Sequence, residues 1–84
     1  MEVNKENYFE AAQALYCYCV DYHGGISCPL YSILSARLRY TPSYSELGVN
    51  DEDDSALFYQ LLESGEIEAE NLLTAIHDAM GDSN

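Results

Sequence analysis

The hydrophobic positions in the first part of the chain predict a long helix. From Lys5 to Tyr22 there is no Pro or Gly, and Asn4 is placed to cap the helix N-terminus. A stripe of residues recurs at steps of three and four, as expected for one buried face. Its members are Tyr8, Ala12, Leu15, Cys19 and Tyr22. Gly24 and Gly25 are expected to end the helix.

A second helix is predicted to begin at Ser27 or Cys28, with Pro29 in its first turn. Its apolar face would consist of Leu30, Ile33, Leu34 and Leu38. Residues 41–47 repeat the pattern of a capping residue followed by Pro, and they predict one further short turn of helix.

The second half of the chain predicts two more helices. Residues 50–54 form a loop rich in capping residues, and the helix after it ends at Ser64 and Gly65. Its apolar positions are Leu57, Phe58, Leu61 and Leu62. The last helix runs from about Glu68 to Met80, with an apolar face of Ala69, Leu72, Leu73, Ile76 and Met80. Apart from a weak alternation at 65–69, no segment has the pattern of a strand. We therefore predict an all-α fold, a small bundle of about four helices with short loops, as a single acidic domain over residues 1–84.

The composition makes this bundle very acidic. The 84 residues carry 15 Asp and Glu against three Lys and Arg, for a net charge of −12. Direct binding to nucleic acid or to an anionic membrane is disfavoured, because both need clustered basic side chains. No apolar run is long enough to span a bilayer, and the first residues do not have the pattern of a signal peptide. We expect a cytoplasmic protein.

The negative charge is concentrated in the second half. Residues 1–45 carry four acids against three cations, whereas residues 46–84 carry eleven acids and no Lys or Arg. Acids near helix N-termini offset the helix dipole, which accounts for about half of them. Asp21, Glu63 and Asp78 instead fall near predicted C-termini, where the dipole disfavours negative charge. Since a net charge of magnitude about 2–8 suffices for solubility, the excess indicates a function for the negative potential.

A basic surface built to hold nucleic acid would use that potential. Carboxylates four residues apart on a helix are separated by about 6 Å of axial rise, so an acidic helix can resemble a row of phosphates. The eight tyrosines allow two interpretations. Some are exposed in an interface, where Tyr is common, or they lie half-buried around the small core. The candidate partner-binding residues are Asp51, Glu52, Asp53, Asp54, Glu63, Glu66, Glu68, Glu70, Tyr44 and Tyr59.

The cysteines allow two interpretations. In the simpler one, Cys17, Cys19 and Cys28 are reduced thiols that pack as small hydrophobic groups. In the other, Cys19, His23 and Cys28 form a metal or redox site. A structural zinc site usually takes four ligands that include a closely spaced Cys pair, and the spacing here does not match it. We therefore predict no metal and no cofactor.

Enzymatic activity is not expected. In a chain with fifteen acids, a Cys, His and Asp set that resembles a nucleophilic site is expected by chance. A bundle of this length also has little room for a preformed pocket. Arg37 and Arg39 are expected to form ion pairs with carboxylates of the chain, which would join the second helix to the acidic half.

A short, acidic, Tyr-bearing, all-α chain of this kind resembles the phage-encoded anti-CRISPR inhibitors that mimic DNA. The likeness rests on residues 50–54 and on the cluster of Glu63, Glu66, Glu68 and Glu70, and it is one of size, charge and composition without a shared motif. The resemblance implies binding to a Cas protein or surveillance complex in the host bacterial cytosol. There the chain would occupy a basic groove and block target DNA.

Two further functions stay open beside the metal-binding regulator. Immunity proteins or antitoxins for nucleases are also small, acidic and four-helical, although the tyrosine pair typical of the colicin DNase immunity family is not recognised here. The other is an adaptor whose apolar groove receives a partner helix.

The crowding of acids leads to a prediction on stability. Added salt, or a pH lowered toward about 5, is expected to raise the melting temperature, because each relieves repulsion between carboxylates. Thermal unfolding followed by circular dichroism measures this. A melting temperature that stays constant over a salt series would contradict a crowded negative face.

Overall fold

The computed structural model describes residues 3–22, 28–40 and 54–81. These residues form four helices and contain no strand, which confirms the predicted all-α class. The helices are α1 (Tyr8–Tyr22), α2 (Pro29–Leu38), α3 (Asp54–Ser64) and α4 (Ala69–Gly81). The predicted turn at 41–47 and the glycine pair at 24–25 lie outside the described residues. Within the described ranges, no helix combines the length and the apolar character that crossing a membrane requires.

The start of α1 is fixed by two asparagine side chains. Asn4 Oδ1 accepts hydrogen bonds from the backbone N–H groups of Glu6 and Asn7, at 2.8 and 3.1 Å. Asn7 Oδ1 in turn accepts from the Asn4 N–H at 2.7 Å. This is the reciprocal arrangement of a capping box, with Asn7 in the position that usually holds Glu or Gln. The predicted capping by Asn4 occurs one turn before α1, on the turn of residues 4–8 that leads into Tyr8.

Helix α1 lies at the centre of the packing, in contact with α2, α3 and α4. Its residues are buried on several sides, not along one stripe, as expected for a helix that neighbours enclose. The buried residues of α1 are Ala11, Ala12, Ala14, Leu15, Tyr16, Cys17 and Cys19. Every helix contributes to the fully buried core, whose largest side chains are Leu15, Leu34, Phe58, Leu72 and Ile76.

Three predicted core positions are exposed. Tyr22, Ile33 and Leu57 have exposed fractions of 57%, 41% and 47%. On α2 the buried face is turned so that Tyr31 is buried in place of Ile33, because the Tyr31 ring packs edge-on against Tyr16 with centroids 4.9 Å apart. The remaining predicted apolar positions of α3 and α4 are buried or partly buried against the core.

Tyr16 also joins α1 to the chain that follows α2. Its hydroxyl donates a hydrogen bond to the backbone oxygen of Tyr40 at 2.8 Å, and Ser35 Oγ lies 3.4 Å away. Burial raises the pKa of the Tyr16 hydroxyl. The hydroxyl therefore stays a neutral donor at physiological pH.

The expected ion pairs of Arg37 and Arg39 are not formed within the described residues. Both side chains are exposed on or just after α2, which packs against α1 and α4. An exposed ion pair contributes only about 0–1 kcal/mol and must offset the entropy of two ordered side chains. Within the described residues, α2 packs through apolar side chains such as Tyr31 and Leu34.

The C-terminus of α2 has a strained residue that supports a prediction. Arg39 has φ +54°, in the left-handed region that favours Gly. Arg39→Gly is expected to raise the free energy of unfolding by about 0.5–1 kcal/mol, since the left-handed conformation costs a residue with Cβ about 1–2 kcal/mol and the more flexible unfolded chain offsets part of the gain. Urea denaturation measures the change.

Arg39→Gln is the matched control, because it removes the same charge and keeps a side chain. A Gly variant no more stable than the Gln variant would contradict the assignment of strain to this residue.

Candidate functional site

The described part of the structure contains six of the predicted partner-binding residues. These are Asp54, Glu63, Glu66, Glu68, Glu70 and Tyr59; the four others, Tyr44, Asp51, Glu52 and Asp53, lie outside the described residues. Asp54 and Tyr59 are half-buried on α3, and the four glutamates are exposed at the end of α3, in the connection to α4 and at the start of α4.

Two hydrogen bonds join the end of α1 to the C-terminal half of α3. The Tyr22 hydroxyl donates to Glu63 Oε2 at 2.7 Å. The Tyr59 hydroxyl donates to Asp21 Oδ2. Each helix thus supplies one tyrosine and one carboxylate. Helix α1 donates one of the two hydrogen bonds and accepts the other. The arrangement brings two acids of distant sequence position into one region.

Glu66 lies just beyond the C-terminus of α3, because the chain after α3 is held against the end of that helix. The backbone N–H of Ile67 donates to the Leu61 oxygen at 3.2 Å, across Gly65, whose φ is +83°. The Glu66 N–H donates to Ser64 Oγ at 3.4 Å. We call the three carboxylates Asp21, Glu63 and Glu66 the acidic end.

The helix dipoles add to the charge of the acidic end. A helix C-terminus carries a partial charge of about −0.5, and Asp21 and Glu63 lie in the last turns of α1 and α3. Neither last turn contains a basic residue. The negative end of a helix dipole destabilises a carboxylate placed beside it. Helix stability therefore does not explain why Asp21 and Glu63 lie at these positions.

Among the described residues, the partners of two of these carboxylates are neutral hydroxyls and not cations. Burial and the hydrogen bond to Asp21 raise the pKa of Tyr59, and the hydrogen bond to Glu63 raises the pKa of Tyr22. Both hydroxyls therefore remain protonated at neutral pH and act as donors. The two carboxylates thus gain hydrogen bonds from donors that carry no positive charge.

Glu68 and Glu70 have a different electrostatic setting. The Glu68 backbone oxygen accepts from the Leu72 N–H at 2.9 Å, so Glu68 stands at the N-terminus of α4, and Glu70 lies in the first turn. Both offset the positive end of that helix dipole. Helix α4 begins at Ala69, close to the predicted start at about Glu68, and Glu66 lies in the connection before it.

Sequence reasoning did not place Asp21 and Tyr22 among the partner-binding residues. The available signal was the position of Asp21, an acid near the C-terminal end of a predicted helix. The sequence did not reveal that the C-termini of α1 and α3 meet. That contact depends on the tertiary packing of two helices that are separated by α2 along the chain.

Two of the cysteines lie together in the core. Cys19 Sγ and Cys28 Sγ are 3.7 Å apart, and both residues are buried. Burial raises the pKa of the Cys19 thiol to about 12, which favours the protonated form over the thiolate that binds metals and attacks substrates. His23 lies outside the described residues, and within them no three potential ligands come together. Cys19 therefore acts chiefly as a core residue.

No protein-family model, no curated protein and no solved structure matches the chain.

The crossed hydrogen bonds lead to a prediction on stability. Tyr59→Phe is expected to lower the free energy of unfolding by about 1 kcal/mol, because the half-buried hydroxyl is lost while the ring is kept. Tyr22→Phe is the matched control at an exposed site, with a smaller loss expected. Urea denaturation at neutral pH measures both.

The effect of Tyr59→Phe should depend on pH. Because folding raises the pKa of Tyr59, the contribution of the hydroxyl is complete below the unfolded-state pKa of about 10. It is lost as the pH rises through the higher folded-state pKa. The difference between the wild type and the Phe variant should therefore shrink above about pH 10, and a constant difference would contradict the role of this hydrogen bond.

Proposed function

We propose that the chain is a non-catalytic inhibitor that binds a basic, nucleic-acid-binding surface of a partner protein and mimics DNA there. The observation that supports this is the acidic end, where Tyr22 and Tyr59 give hydrogen bonds to carboxylates without neutralising them. A Lys or Arg partner would offset the charge of each carboxylate, whereas a neutral hydroxyl gives a hydrogen bond that fixes the carboxylate without adding positive charge.

Such a surface acts mainly through electrostatics. Clustered carboxylates above two converging helix C-termini attract a cationic groove over a distance, which raises the association rate and excludes a competing polyanion. Tyr22 adds exposed ring area beside the charge, and its ring lies 5.0 Å from that of Tyr18. Aromatic rings at the edge of a charged contact supply apolar area with little loss of entropy.

The resemblance to DNA-mimicking anti-CRISPR inhibitors supports a particular partner. We assign the partner as a Cas effector complex, whose binding to target DNA the chain blocks. Small size, a net charge of −12 and an all-α fold agree with this assignment. The chain would act in the bacterial cytosol, where such complexes operate.

The test starts from capture of a partner. The chain is immobilised and exposed to extract from bacteria that carry CRISPR systems, the retained proteins are identified, and binding of the purified partner is measured by fluorescence anisotropy in competition with its DNA. We expect DNA and the chain to exclude one another, and the affinity to fall steeply as salt is raised.

Matched variants test the role of the acidic end. The double variant Asp21→Asn and Glu63→Gln keeps an acceptor oxygen at each position and should weaken binding by at least about tenfold, or 1.4 kcal/mol. The control double variant Glu6→Gln and Asp78→Asn removes the same charge from exposed positions outside the predicted partner-binding set and should have a much smaller effect. Equal losses would overturn the assignment of the site. Capture of a nuclease toxin in place of a Cas protein would identify an immunity protein.

A further inference from the structure

The outer side of α3 carries an open apolar groove of about 370 Å³. Four of its lining residues share one side of α3: Leu57, Gln60, Leu61 and Ser64. The fifth, Glu66, lines the groove just beyond the end of that helix. The core residues Phe58 and Leu62 lie on another side of α3. The groove is therefore separate from the interior of the bundle.

Leu57 is the residue that the fold does not explain. Its side chain is 47% exposed, on a helix whose core positions are already filled by Phe58 and Leu62. Leu61, one turn later, is only partly buried and continues the apolar surface. The volume of the groove lies within the range of about 300–1,000 Å³ that is usual for clefts that bind ligands.

The charges around the groove determine what can occupy it. Asp54 lies one turn before Leu57, and Glu66 lines the opposite end. The chain carries no Lys or Arg from residue 46 onward. An occupant therefore meets apolar surface in the middle, the Glu66 carboxylate at one end, and Asp54 one helical turn beyond Leu57 on the other side. A second copy of this chain, with the same charge of −12, is disfavoured at such a place.

We infer that this groove binds an aliphatic side chain from a Lys- and Arg-rich segment of the partner protein, with Asp54 and Glu66 contacting the flanking cations. The inference rests on the proposed function and adds an apolar anchor to it. Interfaces commonly combine a small apolar centre with a charged rim, where the centre supplies affinity and the rim supplies rate and orientation. A polyanion mimic that depended on charge alone would gain nothing from Leu57.

Two synthetic peptides test the inference. Both are short and equally rich in Lys and Arg, and they differ only in a central Leu or Ala. Their affinities for the full chain are measured by chemical-shift titration of its backbone amides. The Leu peptide is expected to bind about fivefold more tightly, which corresponds to about 1 kcal/mol, with the largest shifts along α3.

Three variants separate the apolar and the charged contributions. Leu57→Ala, a change to a good helix former at an exposed site, should abolish the preference for the Leu peptide. Ile33→Ala truncates another exposed aliphatic residue, on α2, and should leave the preference intact. Glu66→Gln should weaken both peptides by a similar factor. Circular dichroism verifies that each variant keeps its helix content.

The outcomes distinguish the groove from the wider proposal. If both peptides bind wild type equally and Glu66→Gln weakens both, the groove inference fails and the proposed function stands. If Leu57→Ala keeps the preference, the groove inference also fails. If neither salt nor Glu66→Gln affects binding, both proposals fail. Self-association of the wild type that Leu57→Ala removes, seen by light scattering, would show a second copy as the occupant and overturn the inference.

Discussion

The rest of the structure depends on the burial of α1. This helix has small or apolar residues on several sides, so it is stable only when other helices enclose it. Its alanines allow close approach, and its larger residues Leu15 and Tyr16 contact the core and α2. Within the described residues, the acids lie at or near the helix ends.

The enclosure of α1 also determines the electrostatics. Packing α3 beside α1 brings their C-terminal ends together, so two dipoles of the same sign and the carboxylates of Asp21 and Glu63 share one region. The bundle tolerates this repulsion because tyrosine hydroxyls supply hydrogen bonds from the opposite helix. Charge repulsion and hydrogen bonding thus act at one place, where the packing of α1 against α3 fixes the geometry.

Local features of the fold were predictable from the sequence, and long-range ones were not. The bounds of the helices follow from caps and breakers within a few residues, such as Asn4, Pro29 and Gly65. The orientation of α2 depends instead on a ring contact between Tyr16 and Tyr31, which helical spacing within α2 does not reveal. In the same way, acids could be counted from the sequence, but the partnership of Asp21 with Tyr59 required the packed structure.

The choice of tyrosine as the partner of these carboxylates has a consequence for how the molecule responds to its ionic environment. A Lys–Glu pair weakens as electrolyte accumulates around it, so both its architecture and its field decline together. A phenol–carboxylate contact is a short-range bond with a neutral donor, and dissolved ions affect it little. Dissolved salt can therefore weaken the long-range electrostatic field of the acidic end, while the tyrosine hydrogen bonds keep its local shape.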